Sequence, residues 1–189
     1  MRSLSIVVLA VAAVPGCGGE ATFKGRNVAE WREQLREGDI PARREAALAL
    51  WSIGPRAQEA IDDLVASLKD SDAEVRLNAA GALGDIGPAA AAAALPLAEA
   101  VRDENAGVRD AAAQALGNIG AATPEAISAL AGALKDSDPA VRIRAAYALG
   151  GLGAEAADAE PALREAMQDP DGQVHGAVTD ALSKVVPDE

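Results

Sequence analysis

The chain has 189 residues, a length that suits one modest domain or one short repeat array. Half of the residues are hydrophobic but only 2% are aromatic, and the formal net charge is −12. An apolar content supplied mainly by Ala and Leu favours helices over a β-sandwich, which draws on β-branched and aromatic residues. An acidic chain is repelled by nucleic-acid phosphates unless it has a basic face, and none is evident, so no nucleic-acid partner is expected.

The N-terminus has the pattern of an export signal. A short basic start precedes an apolar stretch at residues 4–14, which is too short to cross a membrane as a helix. Residues 14–17, Val-Pro-Gly-Cys, resemble the lipobox of bacterial lipoproteins, in which the cysteine is lipidated. The resemblance implies a signal peptide at 1–16, a tether at 17–26 and a lipid anchor on Cys17. The anchor would hold the protein on the periplasmic or outer side of the bacterial cell envelope. The alternatives are a plain secretion signal with an incidental cysteine and a disordered tail.

A segment repeats along the chain with a period of 33 residues. The clearest copies are VRLNAAGALGDIG at 75–87, VRDAAAQALGNIG at 108–120 and VRIRAAYALGGLG at 141–153. Within each copy the recurring apolar residues are three or one positions apart, as in Ala79, Ala82 and Leu83. This spacing places them on one stripe of an α-helix, here named helix B, and differs from the alternation of a strand.

A second apolar stripe precedes each copy and predicts a helix A before every helix B. Its first column consists of Trp31, Leu64, Leu97, Leu130 and Leu163. This column places Trp31 in the core. Five helix pairs result, and an array of this kind buries one continuous core between neighbouring units. The repeats are predicted at about 27–54, 55–87, 88–120, 121–153 and 154–189.

Glycine, proline and short polar residues mark the helix boundaries. The glycines that follow the last core residue of helix B are Gly54, Gly87, Gly120 and Gly153. They suit the left-handed conformation that ends many helices. The predicted N-caps of helix B are Asp72, Asn105, Asp138 and Asp171. Pro96 lies inside the third predicted helix A, so a kink or a late helix start is expected there.

These residues resemble HEAT repeats of the short bacterial type first associated with phycobilisome lyases. The signature is an Asp between the two helices and a Val-Arg pair on helix B, as in Asp70 with Val75–Arg76. The resemblance implies an all-α fold, a right-handed α-solenoid of five HEAT-like helix pairs at 27–189. It also implies a ladder of contacts between neighbouring repeats, formed by Asp70, Arg76, Asp103, Arg109, Asp136 and Arg142. The alternative is that these charges are solvated on exposed turns.

The remaining positions of helix B vary from copy to copy and share one face, opposite the core stripe. In a HEAT solenoid the B helices line the concave surface, so the resemblance implies that this face is an inner groove. Apolar residues flanked by polar ones are typical of protein-binding surfaces. The candidate partner-binding residues are Arg44, Leu48, Leu77, Asn78, Gln114, Ile143, Arg144 and Tyr147. Scattered surface apolar residues without a partner are the alternative.

No set of residues indicates catalysis, and no cofactor or metal is expected. His175 is the only histidine and stands in the column of the ladder arginines, where a structural role is expected. The carboxylates fall on predicted turns and outer faces, where solvation or N-capping explains them. The expected function is a protein-binding scaffold or adaptor at the cell envelope. The alternatives are a bilin-lyase-like or chromophore-handling protein, suggested by the family resemblance, and a passive structural envelope lipoprotein.

Overall fold

The computed structural model describes residues 21–186, which form a single stack of helix pairs. The predicted signal peptide and Cys17 lie outside the described residues. The A helices are α1 (Val28–Glu37), α3 (Ile61–Ser67), α5 (Ala94–Ala100), α7 (Pro124–Ala133) and α9 (Glu160–Ala166). The B helices are α2 (Ile40–Ile53), α4 (Ala73–Ile86), α6 (Ala106–Ile119), α8 (Pro139–Leu152) and α10 (Gly172–Val185). The predicted fold class, an α-solenoid of five helix pairs, is confirmed.

Each B helix is 14 residues long and begins at a side-chain cap. The predicted caps accept hydrogen bonds from backbone N–H groups of the first turn; Asn105 Oδ1, for example, lies 2.9 Å from Gly107 N. Asp39 caps α2 in the same way. Such a cap contributes about 1 kcal/mol, because it satisfies a donor that has no partner inside the helix.

The glycines that end the B helices all have positive φ, as predicted, but they adopt two conformations. Gly120 is left-handed, with φ 71° and ψ 36°. The other three, Gly54, Gly87 and Gly153, have φ between 60° and 72° and ψ between −145° and −133°. This region is open essentially to glycine alone. It turns the chain directly into a 3-10 helix, whereas Gly120 leads through a short loop to α7.

Three of the A helices are therefore a 3-10 segment followed by a seven-residue α-helix. The 3-10 segments are Gly54–Ala60, Gly87–Ala93 and Gly153–Ala159. In the second of these repeats α5 starts at Ala94, so Pro96 lies in its first turn. Backbone N–H groups there have no partner within the helix, and proline is tolerated. The late helix start expected at Pro96 is not observed, because α5 begins at the position equivalent to the starts of α3 and α9.

The core is a double column of large side chains between the A and B layers. The leucines without exposed surface are Leu64, Leu97, Leu130 and Leu163 of the A helices and Leu50, Leu83, Leu116 and Leu149 of the B helices. Trp31 takes the same place in the first repeat and is 1% exposed, which confirms its predicted core position. Each buried leucine contributes about 1.5–3 kcal/mol. Since the columns run from repeat to repeat, every unit depends on its neighbours.

A β-hairpin covers the N-terminal end of the stack. Strands β1 (Thr22–Phe23) and β2 (Arg26–Asn27) pair antiparallel, and the Trp31 indole Nε1 donates to the carbonyl of Phe23 at 3.2 Å. The Arg26 guanidinium lies 4.4 Å from the centre of the Trp31 ring system. The tether predicted at 17–26 therefore overlaps the hairpin, because residues 22–26 belong to the folded part of the chain. The physical reason is that the first repeat has no preceding neighbour, so its core needs a cover.

The B helices pack more closely on one another than the A helices do. A Cβ atom added to Gly84 would lie 3.0 Å from Ala115 Cα, and one added to Gly117 would lie 3.1 Å from Ala148 Cα. Glycine on one helix and the predicted alanine column on the next therefore set the spacing of this layer. In a curved stack the more closely spaced layer lies on the inside, so the B helices form the concave side.

Candidate partner-binding groove

Arginines of the B helices form a ladder with aspartates of the following repeat. The pairs are Arg43–Asp70, Arg76–Asp103, Arg109–Asp136 and Arg142–Asp169. In each pair Nε donates to Oδ2 at 2.7 Å and Nη2 donates to Oδ1 at 2.8 to 3.1 Å. The ladder contains all six residues that the sequence suggests and extends to Arg43 and Asp169.

Each ladder side chain is also bonded to the backbone. Arg109 Nη1 donates to the carbonyl of Asp103 at 3.0 Å, and Asp136 Oδ1 accepts the N–H of Asp138 at 2.9 Å. The side chains of Arg109 and Asp136 are only 14% and 11% exposed. A charge-assisted hydrogen bond of this kind is worth about 1.5–3 kcal/mol. The ladder therefore joins the turn of one repeat to the B helices on either side and fixes the angle between repeats.

The ladder lowers the pKa of its aspartates. For Asp70 and Asp169 the largest cause is the hydrogen bond from the partner arginine. For Asp103 and Asp136 burial raises the pKa, but hydrogen bonds from the partner arginine and from backbone N–H groups, with attraction to nearby guanidinium groups, lower it by more. All four carboxyls thus stay charged and bonded well below neutral pH.

The exposed faces of α2, α4, α6 and α8 on the concave side contain two adjacent depressions, and these faces with their depressions are named here the B-face groove. Of the suggested partner-binding residues, Leu48 and Tyr147 project from this face with 47% and 53% of their surface exposed. Gln114 is exposed as well, while Leu77 and Ile143 are half-buried. A tyrosine with an exposed ring and hydroxyl suits an anchor for a partner, because one side chain offers both apolar area and a hydrogen bond.

The prediction for Asn78 is wrong, because its side chain is only 5% exposed. Asn78 lies on α4, which has a B helix on each side. The equivalent residue of the first repeat, Glu45, has no preceding B helix and is exposed. The same column of the repeat is therefore exposed in the first repeat and buried in the second.

The two arginines suggested for partner binding are already engaged in ion pairs. Arg144 Nε donates to Asp110 Oδ1 of the preceding repeat at 3.1 Å. Arg44 Nη2 lies 2.5 Å from Asp72 Oδ2, and its Nη1 lies 3.2 Å from Glu74 Oε2. The hydrogen bond from Arg44, together with backbone N–H groups of the first turn of α4, lowers the pKa of Asp72 to about 2. Both guanidinium groups therefore connect neighbouring B helices.

Sequence reasoning missed a pocket beside Trp51, which is the first depression of the B-face groove. The Trp51 ring lies over Gly81, where an added Cβ would be 2.7 Å from the indole. Its Nε1 donates to Asp85 Oδ2 at 2.8 Å. The pocket has a volume of about 180 Å³. Its polar and apolar walls comprise Trp51, Leu77, Asp85, Asp110, Gln114 and Asn118.

Two departures from the repeat pattern mark this pocket. Trp51 stands in a column that otherwise reads Gly84, Gly117, Gly150 and Ser183. Gly81 stands in a column that otherwise reads Leu48, Gln114, Tyr147 and Asp180. A large residue replaces a small one in one column, and a glycine replaces larger residues in the other. Comparing the two columns would have located the contact.

His175 occupies the arginine column at the C-terminal end of the ladder. Its Nδ1 lies 3.0 Å from the carbonyl oxygen of Met167, and the side chain is exposed. Over residues 21–186 no group of three or more His, Cys, Asp or Glu side chains is arranged to hold a metal ion.

The stacked helix pairs, their shared core and the arginine–aspartate ladder define a helical-repeat solenoid. The family model for HEAT repeats matches residues 28–98 and 131–189, and that for the PBS lyase HEAT-like repeat matches residues 108–136. The chain therefore belongs to the HEAT-repeat family. A search of the curated proteins gave no match.

Several solved structures resemble the whole stack. The complex of CpcE and CpcF of phycocyanin lyase from Nostoc sp. PCC7120 is 25% identical, with a TM-score of 0.69 over 95% of this chain and 71% of that one. An engineered protein, target OR329 of the Northeast Structural Genomics Consortium, is 27% identical, with a TM-score of 0.66 over 84% and 78%. A designed armadillo repeat protein in complex with the peptide (KR)4 is 21% identical, with a TM-score of 0.70 over 84% and 81%, and shows the fold alone.

Proposed function

We propose that this protein is a scaffold that binds a protein partner in the B-face groove. The observation that carries the proposal is the exposure of Leu48 and Tyr147 on a face whose other surroundings are polar. Large apolar side chains held in water by a rigid fold are typical of interfaces rather than of cores. The ladder supports the same conclusion, since it keeps the B helices in fixed register and so preforms the groove.

A double variant and a control variant test the groove. Replacing Leu48 and Tyr147 by Ala removes both apolar projections, and we expect capture of the partner by crosslinking in intact cell envelopes to fall at least tenfold. The control variant replaces Leu95 by Ala; this side chain is 56% exposed but lies on α5, in the layer of A helices. Equal capture by the parent and by the groove variant would overturn the proposal.

The proposed location is the cell envelope, with a lipid on Cys17 as the anchor. The lipobox-like residues 14–17 support this proposal. Only residues 18–20 separate Cys17 from Ala21, which packs against the core beside the hairpin. A lipid on Cys17 would thus hold the first repeat close to the membrane. Cys17→Ser should move the protein from the membrane fraction to the soluble fraction, and unchanged membrane association would contradict the anchor.

A second candidate function is the handling of a bilin chromophore. It is supported by the likeness to the complex of CpcE and CpcF of phycocyanin lyase, which covers 95% of this chain at 25% identity. Coexpression with a bilin-producing system, followed by absorbance spectroscopy of the purified protein, tests it. A visible absorption band that stays with the protein through gel filtration would favour this function over the scaffold.

A further inference from the structure

The pocket beside Trp51 combines features that suit an organic cation. One wall is the Trp51 indole ring, which lies over Gly81, and the apolar lining also includes Leu77 and Ala111. Two carboxylates, Asp85 and Asp110, stand on its rim. An aromatic ring and carboxylates attract cations, and the apolar part of the wall suits an alkyl stem.

The two carboxylates differ in how far their charge is neutralised. Asp110 accepts a hydrogen bond from Arg144, so its charge is already paired. Asp85 accepts only the uncharged Trp51 N–H, and within the described part of the chain it forms no ion pair. Its second oxygen, Oδ1, accepts no hydrogen bond there. The pocket therefore carries one uncompensated negative charge beside an aromatic face.

The neighbouring depression of the B-face groove has a different chemistry. It is lined by Arg144 and Tyr147 with Gly117 and Gly151, and it contains no carboxylate. Arg144 is paired with Asp110, so that depression offers a cation no free carboxylate, whereas the pocket offers Asp85. The charge difference between the two depressions gives a bound segment a direction along the groove.

We propose that the Trp51 pocket binds an arginine or lysine side chain of the partner protein. The alkyl stem lies against Trp51 and Leu77, and the charged end donates hydrogen bonds to Asp85 Oδ1 and to the amide oxygens of Gln114 and Asn118. The pocket volume of about 180 Å³ is of the size of one long side chain, and too small for a folded element. This inference rests on the proposed scaffold function and names the chemistry of one of its contacts.

Nuclear magnetic resonance of the full-length chain tests the pocket directly. The chain has two tryptophans, so two indole N–H signals are expected, and the buried Trp31 serves as an internal reference. The probe is the peptide acetyl-Gly-Ala-Arg-Ala-Gly-amide, and its control carries citrulline, the uncharged isostere of arginine. We expect the Trp51 signal to shift saturably with the arginine peptide and to shift at least fivefold less with the citrulline peptide.

Two variants of equal net charge separate the pocket from general attraction to an acidic protein. Asp85→Asn removes the pocket carboxylate and should weaken binding of the arginine peptide about tenfold, as expected for loss of one charge-assisted hydrogen bond. Asp158→Asn removes an exposed carboxylate remote from the pocket and should leave binding unchanged. Equal weakening by both variants, or equal binding of the citrulline peptide, would overturn the proposal.

A third variant tests the pocket without changing its charge. Capture of the partner then distinguishes a failure of the pocket from a failure of the scaffold function. Gly81→Ala places a Cβ within 2.7 Å of the Trp51 ring, which displaces the wall of the pocket and should abolish the shift. Binding that survives this change contradicts the pocket. Partner capture that survives Asp85→Asn and Gly81→Ala, yet is lost on replacing Leu48 and Tyr147, leaves the scaffold function standing and overturns the pocket alone.

Discussion

At the scale of single residues, glycines within the helices lie in two different environments. Gly117 lies against α8, where an added Cβ would be 3.1 Å from Ala148 Cα and Cβ. Gly132 lies in α7 with nothing within 4 Å of the added atom. The packing shows why these two glycines differ, and the repeat columns carry a trace of the difference. A repeat column in which glycine recurs, as at 84, 117 and 150, is the sequence signal for the close contact.

Substitution by alanine therefore has opposite effects at the two glycines. Gly117→Ala must push α6 and α8 apart and should destabilise the protein by about 1–3 kcal/mol. Gly132→Ala should stabilise it by about 0.5–1 kcal/mol, because alanine loses less backbone entropy in a helix. Urea unfolding followed by circular dichroism measures both. Equal midpoints for the two variants would contradict the proposed helix contact.

A ladder arginine and a surface lysine provide a second contrast at this scale. Arg109→Ala leaves Asp136 nearly buried without its partner and should cost about 2–3 kcal/mol. Lys135 and Glu165 form an ion pair at 2.7 Å, but their side chains are 62% and 65% exposed. Lys135→Ala should cost less than about 1 kcal/mol, because water solvates and screens an exposed pair. A similar loss of unfolding free energy in the two variants would show that the ladder is no stronger than a surface pair.

At the scale of secondary-structure elements, the B helices were predictable, and the starts of the three A helices that follow 3-10 segments were not. The N-caps at Asp72 and Asn105 and the glycines behind each B helix are local signals, read from the sequence without knowledge of the fold. The 3-10 segments, such as Gly87–Ala93, depend on how the chain must cross from one layer to the other. Their alanine-rich sequence suits an α-helix equally well, so no residue type within them distinguishes a 3-10 segment from an α-helix.

The N-terminal hairpin is an element that a periodicity argument cannot find. It has no copy in the other repeats, and its role depends on the missing neighbour of the first repeat. Trp31 is the useful signal, because a tryptophan replaces the leucine found in that column elsewhere. Its indole N–H must be bonded when buried, and the Phe23 carbonyl provides the acceptor.

Loss of the hairpin side chain should loosen one end of the stack. Phe23→Ala removes a ring whose centroid lies 6.4 Å from that of the Trp31 ring. We expect amide hydrogen exchange to become faster in α1 and α2. Exchange in α8 should stay unchanged, since repeats in a linear array are coupled mainly to their neighbours. Thr22→Ala, at an exposed position of the same strand, is the control. Uniformly faster exchange along the whole chain would indicate instead that the stack unfolds as one unit.

At the scale of the whole molecule, a repeating charge pattern joins all five repeats. Each of the four links is an arginine–aspartate pair, and the pKa of each of the four carboxyls is lowered. The family signature was sufficient to suggest the ladder, because the spacing of Asp and Arg is fixed by the 33-residue period. The Trp51 pocket and the buried position of Asn78 could not be predicted in the same way. Both depend on which residues of adjacent copies meet, and the copies differ there.

The ladder makes the stability of the whole stack depend on pH in acid. A carboxyl whose pKa is lower in the folded state than in the unfolded chain, where Asp titrates at about 3.9, stabilises the fold fully above that value. This contribution is lost as the pH falls through the folded-state pKa, which for the adjoining N-cap Asp72 is about 2. The unfolding temperature should therefore stay nearly constant from neutral pH to about pH 5 and fall steeply between about pH 4 and 2.

Asp136→Asn removes one ladder carboxyl, so the variant should begin less stable at neutral pH and lose less on acidification. Glu165→Gln, which alters an exposed pair, should follow the parent curve. Parallel curves for the parent and Asp136→Asn would mean that the acid sensitivity arises outside the ladder.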